Sequence, residues 1–178
     1  MGSINSFSYT YRFWKRDFFY SLFTGLFSTG IFFFLILSLR IQMNTSGVIS
    51  FSSIEGLKNS PQLLFYLSIL SLSFLSLGAI FPRIADLGVM MAVGGNSWIC
   101  IQIHTILLFL LILPGFLFGN ILNFFFIQEV QSSFSLINLL TIEIYALAIA
   151  VFCILLFGIP SAWIVTSRDP YTNIRRKK

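Results

Sequence analysis

Four long runs without a charged side chain divide this sequence. The first lies between Asp17 and Arg40, the second between Lys58 and Arg83, the third from Leu87 to Gln128, and the last from Ile144 to Ser167. A helix of about 20 apolar residues crosses a hydrocarbon core of roughly 30 Å, so three of the runs match one crossing each. The third is too long for one. It is interrupted at Met90-Met91-Ala92-Val93-Gly94-Gly95-Asn96-Ser97-Trp98, and the part before Gly94 is too short to cross. Residues 84–98 are therefore expected at an interface, with Trp98 at headgroup level. The helix beyond them is expected from about Ile99 to Ile127, with a kink at Pro114-Gly115. The predicted spans are about 18–40, 61–82, 99–127 and 137–163.

The flanks add two features. Phe7, Tyr9, Tyr11, Phe13, Trp14 and Phe18 alternate with Arg12, Lys15 and Arg16. Rings in the acyl boundary and cations at the phosphates make residues 1–17 an interfacial elbow helix. The connections over 41–60 and 128–135 are too short to be domains, and 166–178 reads as a basic tail. The fold class predicted is an all-α integral membrane protein: four transmembrane helices, the elbow, and a short helix over about 84–95.

Composition agrees with that pattern. Of 178 residues, 57% are hydrophobic and only 10% charged, with a mean hydropathy of +0.90; a soluble domain carries about 25% charged residues. The high isoelectric point does not point to nucleic acid, because no face spaces Lys and Arg with aromatics between them. Instead Arg12, Lys15, Arg16, Arg83, Arg168, Arg175, Arg176, Lys177 and Lys178 fall on one side, and only Arg40 and Lys58 on the other. That bias predicts cytoplasmic termini and a cytoplasmic 83–98 segment in a multi-pass protein of the plasma membrane. The aromatic, polar first seventeen residues do not read as a cleavable signal.

Candidate chemistry is sparse. There is no phosphate-binding loop of the G-x-x-x-x-G-K-[ST] type, and the sole histidine, His104, sits inside a span with no acid and nucleophile to serve. Cys100 and Cys153 lie in apolar runs and read as buried thiols. No metal-ligand spacing occurs. Glu143, inside the last span, either snorkels, pairs with a neighbouring helix, or serves a function. Gly115 and Gly119 form a G-x-x-x-G, and Gly25 and Gly30 mark the first span; such sites let helix backbones approach closely.

The stretch Arg83-Ile-Ala-Asp86-Leu-Gly88-Val-Met-Met-Ala92-Val-Gly94-Gly-Asn96 resembles the cytoplasmic loop of the FtsX-like and MacB-like permeases of ABC transporters, which typically reads R-x-x-E-I-G-x-L-x-A-x-G-A-S. Arg83, Gly88, Ala92 and Gly94 match, and Asp86 stands for Glu. The basic elbow is similar to the family's amphipathic N-terminal helix, and Arg168-Asp169-Pro170 to Arg175 is similar to its closing R-x-D-P-x-x-x-L-R region. The sequence departs from the family in three ways. Only Ile41–Ser60 stands where a large extracytoplasmic domain is usual, Leu107 stands where an acid is common, and Met91 and Trp98 replace frequent basic residues.

The resemblance implies that 84–95 is a coupling helix, with Arg83, Asp86, Gly88, Ala92 and Gly94 forming the contact to an ATPase. It implies a non-enzymatic permease subunit that holds no cofactor itself. ATP and Mg would be bound by cytoplasmic ABC ATPase partners, and a second permease, preferably a different one, would complete the complex within membrane lipid. Two other classes fit the residues: a non-transporting anchor or assembly subunit of a larger membrane complex, and a redox anchor holding haem or quinone at His104.

Overall fold

A computed structural model describes residues 6–46, 60–126 and 136–167. Most of the two connections, and the tail including Arg168-Asp169-Pro170, lie outside the described residues. Every regular element among those described is helical. The short α1 (Ser6–Arg16) leads through Asp17 into α2 (Phe18–Ser46). Next come α3 (Ser60–Gly78), a 3₁₀ turn (Phe81–Arg83), α4 (Ile84–Ala92) and α5 (Ser97–Phe126). The chain ends with α6 (Leu136–Cys153), a π-helical turn (Ile154–Gly158) and α7 (Ile159–Thr166). Four helical stretches are long and apolar enough to cross a membrane: Phe18–Asn44, Pro61–Ala92, Ser97–Phe125 and Ile137–Thr166.

Two interruptions of these stretches have identifiable local causes. Apolarity alone carries the second stretch to Ala92, but the helix breaks after Gly78. Pro82 lacks the N–H that a continuing α-helix needs, and the chain tightens into the 3₁₀ turn instead. In the fourth stretch a π turn precedes Pro160, which sits in the first turn of α7. A proline ring clashes with the carbonyl four residues back, and one widened turn accommodates it. Conversely, α5 keeps its helical assignment through Pro114.

Several hydroxyl side chains of these apolar helices are satisfied within their own helix. Thr24 donates to Tyr20 O at 2.7 Å, Thr29 to Gly25 O at 2.8 Å, Ser68 to Leu64 O at 2.7 Å, and Ser73 to Ile69 O at 2.8 Å. Back-bonding of this kind lets a hydroxyl sit in apolar surroundings without an orphaned donor.

Helix α2 packs most extensively on α5 and next on α3. Phe32, Leu35, Ile36 and Leu39 of α2 meet Leu72, Leu108, Ile112, Ile142 and Ala146 in one fully enclosed cluster. Close approach of α2 and α5 depends on the glycine pair. A Cβ on Gly115 would overlap the Ser28 side chain, and one on Gly119 would come within 2.8 Å of Phe32 Cβ and 3.1 Å of Phe33 N. One turn further on, Asn123 Nδ2 donates to Phe33 O at 2.8 Å, tying the two helices together. Gly25 and Gly30 are not packing positions within this chain, because a Cβ at either meets nothing within 4 Å. Their apparent similarity to the other pair lay in residue type, not in what they face.

This contrast gives a direct test. Gly119→Ala should destabilise the detergent-solubilised protein by about 1–3 kcal/mol through overpacking. Gly30→Ala should be neutral or slightly stabilising, since alanine favours helix. Equal shifts in the two thermal midpoints would remove the α2–α5 contact from its assigned role.

Candidate functional site

The sequence motif around Arg83–Gly94 folds into a compact turn between the second and third long helices. Its exit is set by backbone chemistry. Val93 closes α4, and Gly94 follows at φ +95°, the left-handed region that disfavours side chains. Gly94 N donates to Met91 O at 3.0 Å and Gly95 N to Met90 O at 2.9 Å. These two bonds are the Schellman pattern that terminates a helix. Gly95 is required sterically, because a Cβ there would lie 2.6 Å from Met90 O. Asn96 then starts α5, its Oδ1 accepting from Trp98 N at 3.1 Å.

Helix α4 has two unlike sides. Leu87 and Gly88 are buried; Leu87, with Ile84, Met90 and Met91, packs on Ile80, Cys100, Ile101, Ala162 and Val165 in a second apolar cluster. The other edge is exposed and uncharged. Val89 is half-exposed and Val93 is 84% exposed, with Phe81 and Trp98 at the two ends of the turn also exposed. Ala92 belongs to this outer edge, and Gly94 is exposed beyond it.

The two charged residues of the motif are turned away from that edge. Asp86 is held by Arg16 of α1 in a direct ion pair. Arg16 also bonds Asp17 through Nε at 3.1 Å and lies 5.0 Å above the Phe13 ring. Hydrogen bonds from Arg16 to Asp17 and then Asp86 raise its pKa further above the ordinary guanidinium value, so it stays charged at any accessible pH. Sequence reasoning placed Arg16 in the elbow but gave it no partner; two charges 70 residues apart carry no local signal of pairing.

Arg83 is 4% exposed, and its Nε, Nη1 and Nη2 have no hydrogen-bond partner among the described residues. His104 of α5 lines the same small space, about 10 Å³, and neither of its ring nitrogens has a hydrogen-bond partner among the described residues. Phe13, Asp86, Leu87, Ile103 and Leu107 complete the lining. That space is of the order of one water molecule, so it does not fit a haem at His104. Among the described residues no cluster of His, Cys, Asp and Glu could hold a metal ion.

Comparison with known proteins gives no match: no family model fits the chain, and no curated protein or solved structure matches it.

The geometry assigns distinct energies to the two fixings of α4. Gly94→Ala should cost roughly 1–2 kcal/mol because of its left-handed backbone. A double-mutant cycle on Arg16→Ala and Asp86→Ala should return a coupling of about 0.2–1 kcal/mol, since Arg16 is half-exposed and the pair is screened. Strict additivity would mean that Arg16 does not hold α4.

Proposed function

We propose that this chain is the permease subunit of an ABC transporter of the FtsX-like and MacB-like type, with its four long helices in the plasma membrane. The observation that carries the reading is the α4 unit. It is a short helix between the second and third long helices, closed by a left-handed glycine, with one exposed apolar edge and its acid tied to the N-terminal helix. In this reading α1 is the interfacial elbow, α4 the coupling helix, and the excess of basic residues keeps both on the cytoplasmic side.

The placement of side chains refines which residues would meet an ATPase. The Val89–Val93 edge, with Ala92, offers the first contact, while Arg83 and Asp86 act behind it. A push on α4 would part Asp86 from Arg16 and let it approach Arg83, the residue that precedes α4. An unpaired buried guanidinium is costly and a paired one much less so, so that exchange of partners would favour the displaced position. Movement would then pass through Leu87 to Cys100, Ile101 and Ala162, and so into α5 and α7. ATP hydrolysis would belong to the cytoplasmic partner.

A second permease has a surface to pack on. An apolar groove of about 530 Å³ between α2 and α5 is lined by Ser21, Gly25 and Thr29 of α2 and by Pro114 and Phe118 of α5. Ser21 is buried there with its Oγ unpartnered. Small residues at this spacing admit a neighbouring helix closely.

One observation favours a second reading, a static anchor or assembly subunit of a larger membrane complex. With Arg83 buried and Asp86 held by Arg16, the outer edge of α4 carries no charge to direct a moving partner.

Mild-detergent capture of the chain followed by mass spectrometry separates the two. Recovery of an ATPase with a phosphate-loop signature, lost on Val93→Arg and on Gly94→Trp, is expected. A folded complex containing other membrane subunits and no ATPase would overturn the permease reading in favour of the anchor.

A further inference from the structure

At the end of the bundle remote from α4, three polar side chains from three helices face one cleft. Arg40 of α2, Asn120 of α5 and Glu143 of α6 line a space of about 450 Å³, together with Ile121, Phe124 and Leu139. We propose that this cleft binds a phospholipid whose headgroup carries a primary ammonium, with the phosphate on Arg40 and the ammonium on Asn120 and Glu143.

The case starts from Arg40. An arginine near the end of an apolar helix normally extends its guanidinium into water or headgroups. Here the residue is only 5% exposed, and its Nε and Nη1 are buried without a hydrogen-bond partner among the described residues. Glu143 faces the same cleft, yet no ion pair joins the two: the ion pairs among the described residues are those of Arg16. A buried cation left unpaired beside an available carboxylate is an expensive arrangement unless something occupies the space between them.

The acceptors are arranged to match. Asn120 Nδ2 donates to Glu143 Oε2 at 2.9 Å, which orients the carboxamide and leaves its Oδ1 buried and unpartnered. One side of the cleft therefore offers guanidinium donors and the other the carboxylate and the free carboxamide oxygen as acceptors. A ligand that complements both carries an anionic oxygen group and an N–H-bearing cation. The cleft's own charges sum to zero, so a zwitterion leaves it neutral, whereas a simple anion leaves Glu143 facing it unbalanced.

Depth and wall chemistry select a lipid as the source. Arg40 is four positions from Asn44, where the first apolar stretch ends, which is about 6 Å along a helix. Asn120 and Glu143 lie similarly close to the ends of their own stretches at Phe125 and Ile137. Ile121 and Phe124, at the rim, are exposed on the outside of the bundle, where an acyl chain would lie. The cleft volume is within the usual range for a small-molecule site. This inference rests on the membrane placement proposed above but not on any ATPase partner.

The test titrates the detergent-solubilised full chain with phosphatidylethanolamine, phosphatidylcholine and phosphatidylglycerol and reads retained lipid by native mass spectrometry. One phosphatidylethanolamine should be retained in preference to the other two by about tenfold or more, because the quaternary ammonium of phosphatidylcholine has no N–H to donate. Glu143→Gln keeps an acceptor for Asn120 and so the fold, and should reduce phosphatidylethanolamine to the level of phosphatidylcholine. Arg40→Gln should abolish retention. Phosphatidylglycerol bound as tightly as phosphatidylethanolamine, or Glu143→Gln without effect, would overturn the proposal. Displacement of the lipid by equimolar O-phosphoethanolamine would overturn the lipid as source. Extraction of the chain from membranes by alkaline carbonate would instead sink the membrane placement, before any lipid is added.

Discussion

The close contact of α2 with α5 is the constraint on which the remaining structure depends. In the membrane placement proposed for them, helices gain nothing from hydrophobic exclusion, and their association rests on tight packing and occasional interhelical hydrogen bonds. Gly115 and Gly119 remove the two side chains that would hold the helices apart. Asn123 then places a donor on the α2 backbone at Phe33, where any hydrocarbon alternative would leave it orphaned. The enclosed cluster around Phe32, Leu35 and Ile36 forms on the side of α2 that this contact fixes, and α3 and α6 complete it.

That pair of helices also determines where polarity collects. Along their middle, hydroxyls fold back onto the carbonyl three or four residues earlier, and nothing is left to bind. At each end the arrangement changes. Near α4, the Arg83 guanidinium and the His104 ring nitrogens have no hydrogen-bond partner among the described residues, and at the opposite end the same holds for Nε and Nη1 of Arg40 and for Oδ1 of Asn120. In a bundle that satisfies its mid-helix hydroxyls so consistently, orphaned guanidinium groups at both ends are the exception that needs a physical account. Exchange of partners offers one at the α4 end, and a bound zwitterion offers the other.

Much of the fold was legible in the sequence, because hydropathy reports it directly. Charge-free runs located the four long helices, and Gly94-Gly95-Asn96 located the turn into α5, since only glycine adopts its left-handed position cheaply. The break at Pro82 was legible too, but the π turn before Pro160 was not: a proline predicts that a helix must adjust and does not say whether it kinks, breaks or widens. The site was less legible. The residues of the motif do fold together, but their directions were hidden, because the inward turn of Arg83 and the capture of Asp86 by Arg16 depend on how α1 lies against α5. Gly25 and Gly30 show the same limit from the other side. Small residues announce that a close approach is possible and carry no information on whether a helix is there to make it.

The position of α5 connects the two ends. It carries His104 beside α4 and Asn120 at the far cleft, and it is clamped to α2, which follows directly from Arg16 and carries Arg40. Two helices in close contact at Gly115 and Gly119 and joined by a hydrogen bond resist sliding past one another. Displacement of α4 therefore cannot be absorbed by sliding α5 along α2. In the mechanism proposed, the compliant element would be the fourth long stretch, where the π turn at Ile154–Gly158 interrupts regular hydrogen bonding and Gly158 faces Leu108 of α5. Bending there would shift α7, which packs against α4, relative to α6, which carries Glu143. A widened turn is a place where a helix changes direction at low cost. By that route the partner of Asp86 at one end and the spacing between Glu143 and Arg40 at the other become properties of a single mechanical element.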